Sequence, residues 1–327
     1  MKILGNSETR ERFKKDFLEN RLSHAFIIEG ARGSGRLTLA RALASIVICN
    51  GKNPPCGECD ACRRVESGAH PDVHEILHTG RTSQIKIDEV REIISQCHIK
   101  PSEALWSVFI VENAQMMNTA AQNALLQIFE EPPQNTLFFL LSTDRNRLLK
   151  TLVSRARVIK TEKLSDSQLE KYFLDRYPDK KELIARAVSL SDGAAGVGLE
   201  ILESGESPEI IKTVTDFLKK AADGAGFYTL CRILPPFDKG MTREKLSAVA
   251  GYLCLALRDA AVIQSSPSAR LAFFSSSAEA EALGDVLGLE RIISSFDTLG
   301  QIMNKSGTVN IPVAVSTLVS GFASDIK

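Results

Sequence analysis

The sequence predicts an α/β domain built on a parallel five-stranded sheet with helices on both faces, followed by two helical domains. Five short apolar runs, separated by helix-patterned stretches, predict the strands; they span residues 25–29, 72–77, 107–112, 136–142 and 156–160. Two of these runs are apolar at every position between Val108 and Val111 and between Leu137 and Leu141, which is typical of strands covered on both faces. Beyond residue 162 the strand pattern gives way to helical patterns.

A glycine-rich segment, GARGSG at residues 30–35, follows the first predicted strand and opens a predicted helix. In an open parallel sheet, ligands bind at the carboxyl ends of the strands, where this segment lies. Glycines let successive backbone N–H groups wrap a phosphate, and Gly30, Gly33 and Gly35 meet that requirement. The segment therefore indicates a phosphate-binding loop; the alternative is an ordinary glycine-rich turn.

The residues after the last glycine depart from what nucleotide hydrolysis needs. A lysine for the terminal phosphates and a hydroxyl for Mg²⁺ normally follow, but Arg36 and Leu37 stand there. Arg36 keeps a positive charge on a bulky planar group, and Thr38 is one position late, about 100° further round the helix. The third strand ends in Glu112-Asn113, whose carboxylate can touch a metal ion but whose amide cannot act as a base. We expect a loop without water activation, and ATP binding in this chain stays undecided.

Four cysteines lie close together in the sequence and predict a metal site. Cys49, Cys56, Cys59 and Cys62 include two C-x-x-C steps that share Cys59, and four thiolates can close a tetrahedral Zn²⁺ site. Such a site has no open position, so its role is structural. The alternatives are unrelated buried thiols or a disulfide-forming pair. Residues 49–62 are thus predicted to form a zinc-binding insertion.

Three histidines recur at four-residue intervals: His70, His74 and His78. On a helix this spacing could hold a metal ion. Pro71 and the β-like pattern of residues 72–77 argue against that helix, so we expect structural roles for all three.

Residues 118–131 have the apolar period of a helix that packs on the sheet. The apolar positions are Ala121, Ala124, Leu125, Ile128 and Phe129. Asn118 is the candidate N-cap, and Pro132-Pro133 ends the helix.

The rest of the chain is predicted as a small helical domain over residues 163–205 and a larger one over residues 206–327. Apolar residues make up 44% and charged residues 24% of the sequence, as in ordinary globular proteins. The 40 basic and 40 acidic residues cancel, so we do not expect this chain alone to bind DNA tightly. The charged N-terminal stretch is unlike a signal peptide, and we expect a cytoplasmic protein without a membrane span.

Several segments occur in an order that resembles the clamp-loader subunits of bacterial DNA polymerase III, and among them the delta prime type. They are SHAFIIEGARGSG, the four-cysteine cluster, GAHPDVHEI, VFIVENAQMMNTAAQNALLQIFEEPPQNTLFFLLST and LLKTLVSRARVI. The resemblance covers roughly residues 1–200 by motif. It implies an AAA+ module with a zinc-bearing insertion, a helical lid and a helical collar. It also implies a hetero-pentamer with gamma or tau ATPases and delta, which loads the sliding clamp onto primed DNA.

The family's Ser-Arg-Cys motif corresponds to Ser154-Arg155-Ala156. The resemblance implies that Arg155 reaches a neighbouring subunit's ATP and stabilises charge on its γ-phosphate. The place of Arg155 at the start of the last predicted strand favours this role over a surface salt bridge. Active family ATPases carry another sensing arginine in the lid, and the corresponding segment here, SDGAAGVG at residues 191–198, has none.

Three functional hypotheses follow. In the first, the chain is a stator without ATPase activity of its own, donating Arg155 within the holoenzyme of a DNA-directed DNA polymerase, a nucleotidyltransferase. In the second, it is an active gamma- or tau-like AAA+ ATPase in which Arg36 and Glu112 replace the usual groups. In the third, the cysteine cluster is a nucleic-acid-binding zinc module, although the sequence around it lacks dense basic residues. The departures in the loop and lid favour the first.

Overall fold

The computed structural model describes residues 3–77, 84–204, 208–236, 240–266, 271–274, 276–304 and 310–323. The chain divides into two compact units, Met1–Leu169 with Gly193–Val197 and Glu170–Asp192 with Gly198–Lys327. The three-domain division stays a prediction. Its boundary at residues 205 and 206 lies outside the described residues, as does His78.

The first unit contains a five-stranded parallel sheet, which confirms the predicted fold class. The strands are β1 (Ala25–Glu29), β2 (Val73–Ile76), β3 (Ser107–Val111), β4 (Thr136–Ser142) and β5 (Arg157–Lys160). Their spatial order is β2-β3-β4-β1-β5, and every pairing is parallel. All residues of β3 and β4 are buried, because helices cover both faces.

Six helices flank the sheet in the first unit. They are α1 (Ser7–Leu18), α2 (Arg36–Ile48), α3 (Asp60–Ser67), α4 (Ile87–Cys97), α5 (Thr119–Glu130) and α6 (Lys150–Arg155). Alternation along the strands divides the side chains between two cores. Phe139 of β4 packs with α1, α2 and α3, whereas its neighbour Phe138 packs with α4, α5 and α6. Truncating either ring to alanine is expected to destabilise the unit by about 3–5 kcal/mol.

The predicted helix after β3 is α5, and its ends confirm the sequence signals. The Asn118 side chain accepts a hydrogen bond from the Ala121 N–H at 2.8 Å, which satisfies a free donor of the first turn. The helix ends at Glu130, before Pro132-Pro133. Its predicted apolar face is buried, apart from the half-buried Ala124.

The remaining helices are α7 (Asp166–Arg176), α8 (Lys181–Ser191), α9 (Ala195–Ser204), α10 (Pro208–Ala222), α11 (Phe227–Ile233), α12 (Arg243–Ser265), α13 (Ser277–Asn304) and α14 (Ile311–Phe322). The glycine-rich segment of residues 191–198 contains the end of α8, with Asp192 and Gly193 at positive φ, and the start of α9 at Ala195. The core of the second unit brings together Leu253 of α12, Leu283 of α13 and Leu318 of α14.

Among the described residues, one segment is long and apolar enough to cross a membrane, Lys245–Ser265 of α12, with a mean hydropathy of 1.6. The sequence analysis overlooked this segment. Some 67% of it is buried inside the protein, where it supplies much of the helical core. Its hydropathy therefore reflects core packing.

A buried carboxylate, Asp72, fixes the approach to β3. It accepts hydrogen bonds from the backbone N–H groups of Ser102 (2.5 Å), Glu103 (2.9 Å) and Ala104 (2.7 Å). Burial by itself raises the pKa of this carboxyl, but the three N–H donors outweigh it and hold the pKa below its usual value. The charged form of Asp72 is therefore the form that stabilises the fold.

We expect Asp72→Asn to lower the free energy of unfolding of the first unit by about 2 kcal/mol at pH 7, because an amide is a weaker acceptor for three N–H groups. The folded pKa lies below the unfolded one, so this stabilisation is present above about pH 4 and is lost as the pH falls further. Urea midpoints at pH 7 and pH 3 measure both effects. Asp88→Asn, at an 82% exposed side chain, is the control. Equal midpoints for the two variants at pH 7 would contradict the role of Asp72.

Candidate functional sites

The glycine-rich loop of residues 30–35 joins β1 to α2 at the carboxyl edge of the sheet. The Gly30 N–H donates to the Ser142 carbonyl at the end of β4 (3.1 Å), and the Thr161 N–H donates to the Glu29 carbonyl (2.9 Å). Gly33 and Gly35 have φ values of 76° and 79°, a backbone conformation that favours glycine. The loop thus has the strand–loop–helix setting of a phosphate-binding site.

Arg36, the first residue of α2, points back into its own loop. Its Nη1 donates to the Gly30 carbonyl at 2.9 Å, and its side chain is buried. Burial lowers the pKa of this guanidinium, and the nearby Glu112 charge opposes that shift. Leu37 packs into the core, whereas Thr38 is exposed. The Arg36 guanidinium is therefore already hydrogen-bonded to the backbone of its own loop.

A segment from beyond the sheet, Gly193–Val197, lies directly on the loop. The Gly196 N–H donates to the Gly33 carbonyl at 2.8 Å. A Cβ added at Gly196 would lie 2.8 Å from the Gly33 Cα, closer than real Cβ contacts allow. On the inner side of the loop, the Thr161 hydroxyl donates to the Ser34 hydroxyl at 3.0 Å. The Gly33 carbonyl and the Ser34 hydroxyl are thus both hydrogen-bonded within the chain.

The acidic end of β3 has basic neighbours from the same chain. Glu112 follows β3 and is half-buried, and its charge acts on both Arg36 and Arg41. Arg41 of α2 also makes a bidentate ion pair with Glu75 of β2, with both N···O distances at 2.7 Å. The hydrogen bonds to Glu75 raise the pKa of Arg41. The basic groups that interact with Glu112 are therefore Arg36 and Arg41.

The four predicted cysteine ligands come together between α2 and α3. Their Sγ atoms all lie within 4.8 Å of one another, with Cys49 and Cys59 4.0 Å apart. Tetrahedral Zn²⁺ with Zn–S bonds of about 2.3 Å needs sulfurs about 3.8 Å apart, so the cluster fits such an ion. All seven cysteines of the protein are free thiols, which excludes the disulfide alternative in this structure.

Backbone N–H groups orient the sulfurs of this cluster. The N–H groups of Gly51 and Cys56 donate to the Cys49 sulfur at 3.2 and 3.4 Å, and that of Cys62 donates to the Cys59 sulfur at 3.4 Å. Donation from the Glu58 backbone lowers the pKa of Cys56 to about 6, whereas burial raises the pKa of Cys62. Cys56 is therefore a thiolate at neutral pH, the form that binds a metal.

Helix α3 connects the cysteine cluster to the backbone segment that donates hydrogen bonds to Asp72. Arg64 of α3 pairs with Asp60 at 2.7 Å and with Glu103, whose backbone N–H binds Asp72. Sequence spacing could suggest the Asp60–Arg64 pair, because the residues are four apart on a helix. The sequence analysis missed Glu103 and Asp72, which meet only in the fold.

Arg155 is the last residue of α6, two positions before β5, so its predicted place at a strand start is wrong. Its Nη2 lies 2.9 Å from Glu130 Oε1, and its Nη1 donates to the Thr151 carbonyl at 3.2 Å. The side chain is 38% exposed. The salt bridge that the sequence left as an alternative is thus present, on a side chain that still faces solvent.

Gln122, buried on α5, connects that helix to the segment that leads into α6. Its amide nitrogen donates to the carbonyls of Met117 (3.1 Å) and Arg147 (3.4 Å), and its amide oxygen accepts from the Leu149 N–H (2.7 Å). The sequence analysis missed this residue, although a polar side chain next to Ala121 on the apolar face of a predicted helix is a usable signal.

Comparison with known proteins agrees with this arrangement. The family described as "DNA polymerase III, delta subunit" matches residues 5–165. The DNA polymerase III subunit delta' of Bacillus subtilis is 29% identical over 268 residues, covering 81% of this chain and 77% of that protein. The chain belongs to the DNA polymerase III clamp-loader family.

Gamma subunits are also similar to this clamp-loader family member. That of Buchnera aphidicola from Acyrthosiphon pisum is 32% identical over 209 residues, covering 61% of this chain and 57% of the subunit. The match to that from Schizaphis graminum covers 51% and 46%, so the chain spans about half the length of these relatives. A gamma subunit-related protein of known structure from Thermotoga maritima is 16% identical, with a TM-score of 0.49 and coverage of 97% and 99%.

We expect Gln122→Ala to loosen the segment that leads to α6. The variant leaves the Leu149 N–H and the Arg147 carbonyl without their buried partner, which is worth about 1–3 kcal/mol. Amide hydrogen exchange over residues 145–155 should therefore accelerate, while exchange in β4 stays slow. Gln127→Ala, at an exposed position of the same helix, is the control. Unchanged exchange at Leu149 would show that Gln122 does not hold this segment.

Proposed function

We propose that this chain is a delta prime-type subunit that helps to load a sliding clamp onto primed DNA without hydrolysing ATP itself. In this role it is a rigid stator that donates Arg155 to the ATP site of a neighbouring subunit. The observation that carries the proposal is that Arg36, which stands where a phosphate-binding lysine is needed, is buried and donates to the Gly30 carbonyl of its own loop.

Hydrolysis in this chain would require groups that are engaged elsewhere or are missing. A bound triphosphate needs free backbone donors, a lysine-like cation and a metal-binding hydroxyl. Arg36 is buried and donates to a loop carbonyl, Leu37 is half-buried against the core, and Thr38 faces solvent. At the end of β3, Asn113 cannot accept a proton from water. These features support a loop that keeps its shape after losing its chemistry.

The competing function is a gamma-like ATPase. The 32% identity to a gamma subunit and the glycines of the loop favour it. For this function, Arg36 would have to turn from the Gly30 carbonyl toward a phosphate. Glu112 would also have to replace the carboxylate that is missing at Asn113.

Arg155 supports the finger role by its exposure and its charge. A guanidinium is always protonated and binds phosphate oxygens through several N–H groups, so it can stabilise charge on a γ-phosphate. The neighbours that supply the nucleotide are proposed to be gamma or tau ATPases, in a hetero-pentamer that includes delta. Contact with the clamp and primed DNA is through the complex, in the cytoplasm.

The cysteine cluster is proposed to hold one structural Zn²⁺ through Cys49, Cys56, Cys59 and Cys62. The sulfur spacing and the N–H donors to sulfur support a closed tetrahedral site. A bound ion would anchor α3, whose Arg64 reaches Glu103. The site is therefore assigned to folding, and nucleic-acid binding by this module is the alternative.

Arg155→Ala tests the finger in the reconstituted complex. We expect the purified chain alone to show no ATPase activity, and the variant complex to lose much of its DNA-stimulated ATPase, since an arginine finger is worth about 10³–10⁵ in rate at the site it serves. The control is Arg147→Ala, an exposed arginine just before α6. Unchanged ATPase in the Arg155 complex would rule out the finger, and metal-dependent hydrolysis by the chain alone would favour the gamma-like ATPase.

Zinc content tests the cluster. We expect about one zinc per chain by elemental analysis, and Cys59→Ser should lose it together with several degrees of melting temperature. Because protons compete with the metal for all four thiolates, the affinity for Zn²⁺ should fall as the pH is lowered. Cys231→Ser, in the second unit, should keep the metal. A metal-free wild-type chain of equal stability would contradict the assignment, and tight, salt-sensitive DNA binding by the chain alone would favour the nucleic-acid alternative.

A further inference from the structure

Glu130, the last residue of α5, is the acidic partner of Arg155. Its Oε1 lies 2.9 Å from Arg155 Nη2, and the two side chains are 48% and 38% exposed. An ion pair this exposed adds little to stability, with a typical value below about 1 kcal/mol. The main effect of the Glu130–Arg155 pair is therefore to fix the position of the guanidinium.

The distance between the two partners is fixed by packed helices. Phe129 beside Glu130 and Leu152 in the middle of α6 are both buried in the same core. Gln122 joins α5 to the segment before α6 through Arg147 and Leu149. Glu130 therefore stands on a frame whose relation to α6 is set before any neighbour binds.

Contacts inside the chain hold the guanidinium at two points and leave the rest of it available. Arg155 Nη2 faces Glu130, and Nη1 donates to the Thr151 carbonyl at 3.2 Å. An arginine side chain has five N–H donors, so these two contacts leave three for an external acceptor. The planar fork is thus oriented and still able to bind a phosphate.

We propose that Glu130 is the positioning residue for Arg155: it holds the guanidinium in the orientation that meets the neighbour's γ-phosphate. This inference rests on the proposed role of Arg155 as an arginine finger. Without Glu130, the Thr151 carbonyl is the partner left to the arginine among the described residues, and the guanidinium loses orientation at the moment of reaction. Glu130 itself does not touch the nucleotide.

The test measures the DNA-stimulated ATPase activity of the reconstituted complex. The quantity compared is the part of this activity that is lost in Arg155→Ala. We expect Glu130→Ala to lower the kcat of that part about 5-fold with little change in the KM for ATP, because misorientation affects the transition state more than binding. Glu130→Gln, which keeps an acceptor oxygen, should recover part of the loss. Glu131→Ala is the matched control, since this neighbouring carboxylate is also exposed, whereas the ion pair of Arg155 is with Glu130.

A double variant distinguishes positioning from a general structural effect. Glu130→Ala together with Arg155→Ala should be no slower than Arg155→Ala alone, and the melting temperatures of the chains should agree within about a degree, as expected for an exposed pair. Additive losses, or an unchanged kcat in Glu130→Ala, would overturn the positioning role while leaving the finger intact. A faster Glu130→Ala complex would show that Glu130 withholds the arginine. If Arg155→Ala has no effect, the proposed finger itself fails.

Discussion

The parallel alignment of five strands is the constraint on which the other features of this protein depend. Because every strand runs the same way, all carboxyl ends lie along one edge, and residues distant in sequence meet there. Gly30 binds Ser142 and Thr161 binds Glu29 at this edge, and Glu112 follows β3 at the same edge. β3 and β4 are also buried on both faces, so the strands that end at this edge are held by the core. A loop held this way keeps its shape even when its chemistry changes.

Charge and hydrogen bonding at that edge are balanced within the chain. Glu112 has Arg36 and Arg41 as basic neighbours, and the Gly30 carbonyl receives the guanidinium of Arg36. In a nucleotide-binding loop, comparable charges are supplied by a lysine, a metal ion and phosphates. A phosphate would therefore gain the charge of Arg36 only after the guanidinium left the Gly30 carbonyl and the neighbourhood of Glu112. The inward position of Arg36 is thus consistent with a structural role for the loop.

The sequence was most informative where a local pattern has one structural solution. Fully apolar runs required strands buried on both faces, and Asn118 with Pro132-Pro133 set the ends of α5. Cysteine spacing brought four sulfurs together for the same reason, since each C-x-x-C step is a local turn. Contacts that depend on tertiary packing could not be predicted this way. Asp72 meets residues 102–104, and Gly196 meets Gly33, only because the fold places them there.

Arg155 shows how a local error in prediction bears on function. A strand position would have fixed its backbone in the sheet, whereas the end of α6 leaves its orientation to side-chain contacts. The helix is only six residues long and cannot hold a direction by itself, because so short a helix has little intrinsic stability. Its direction comes instead from α5, through the buried amide of Gln122 and the packing around Leu152. The proposed action of Arg155 on another subunit requires that it be placed relative to the whole domain, and α5, packed in the same core, connects α6 to that domain.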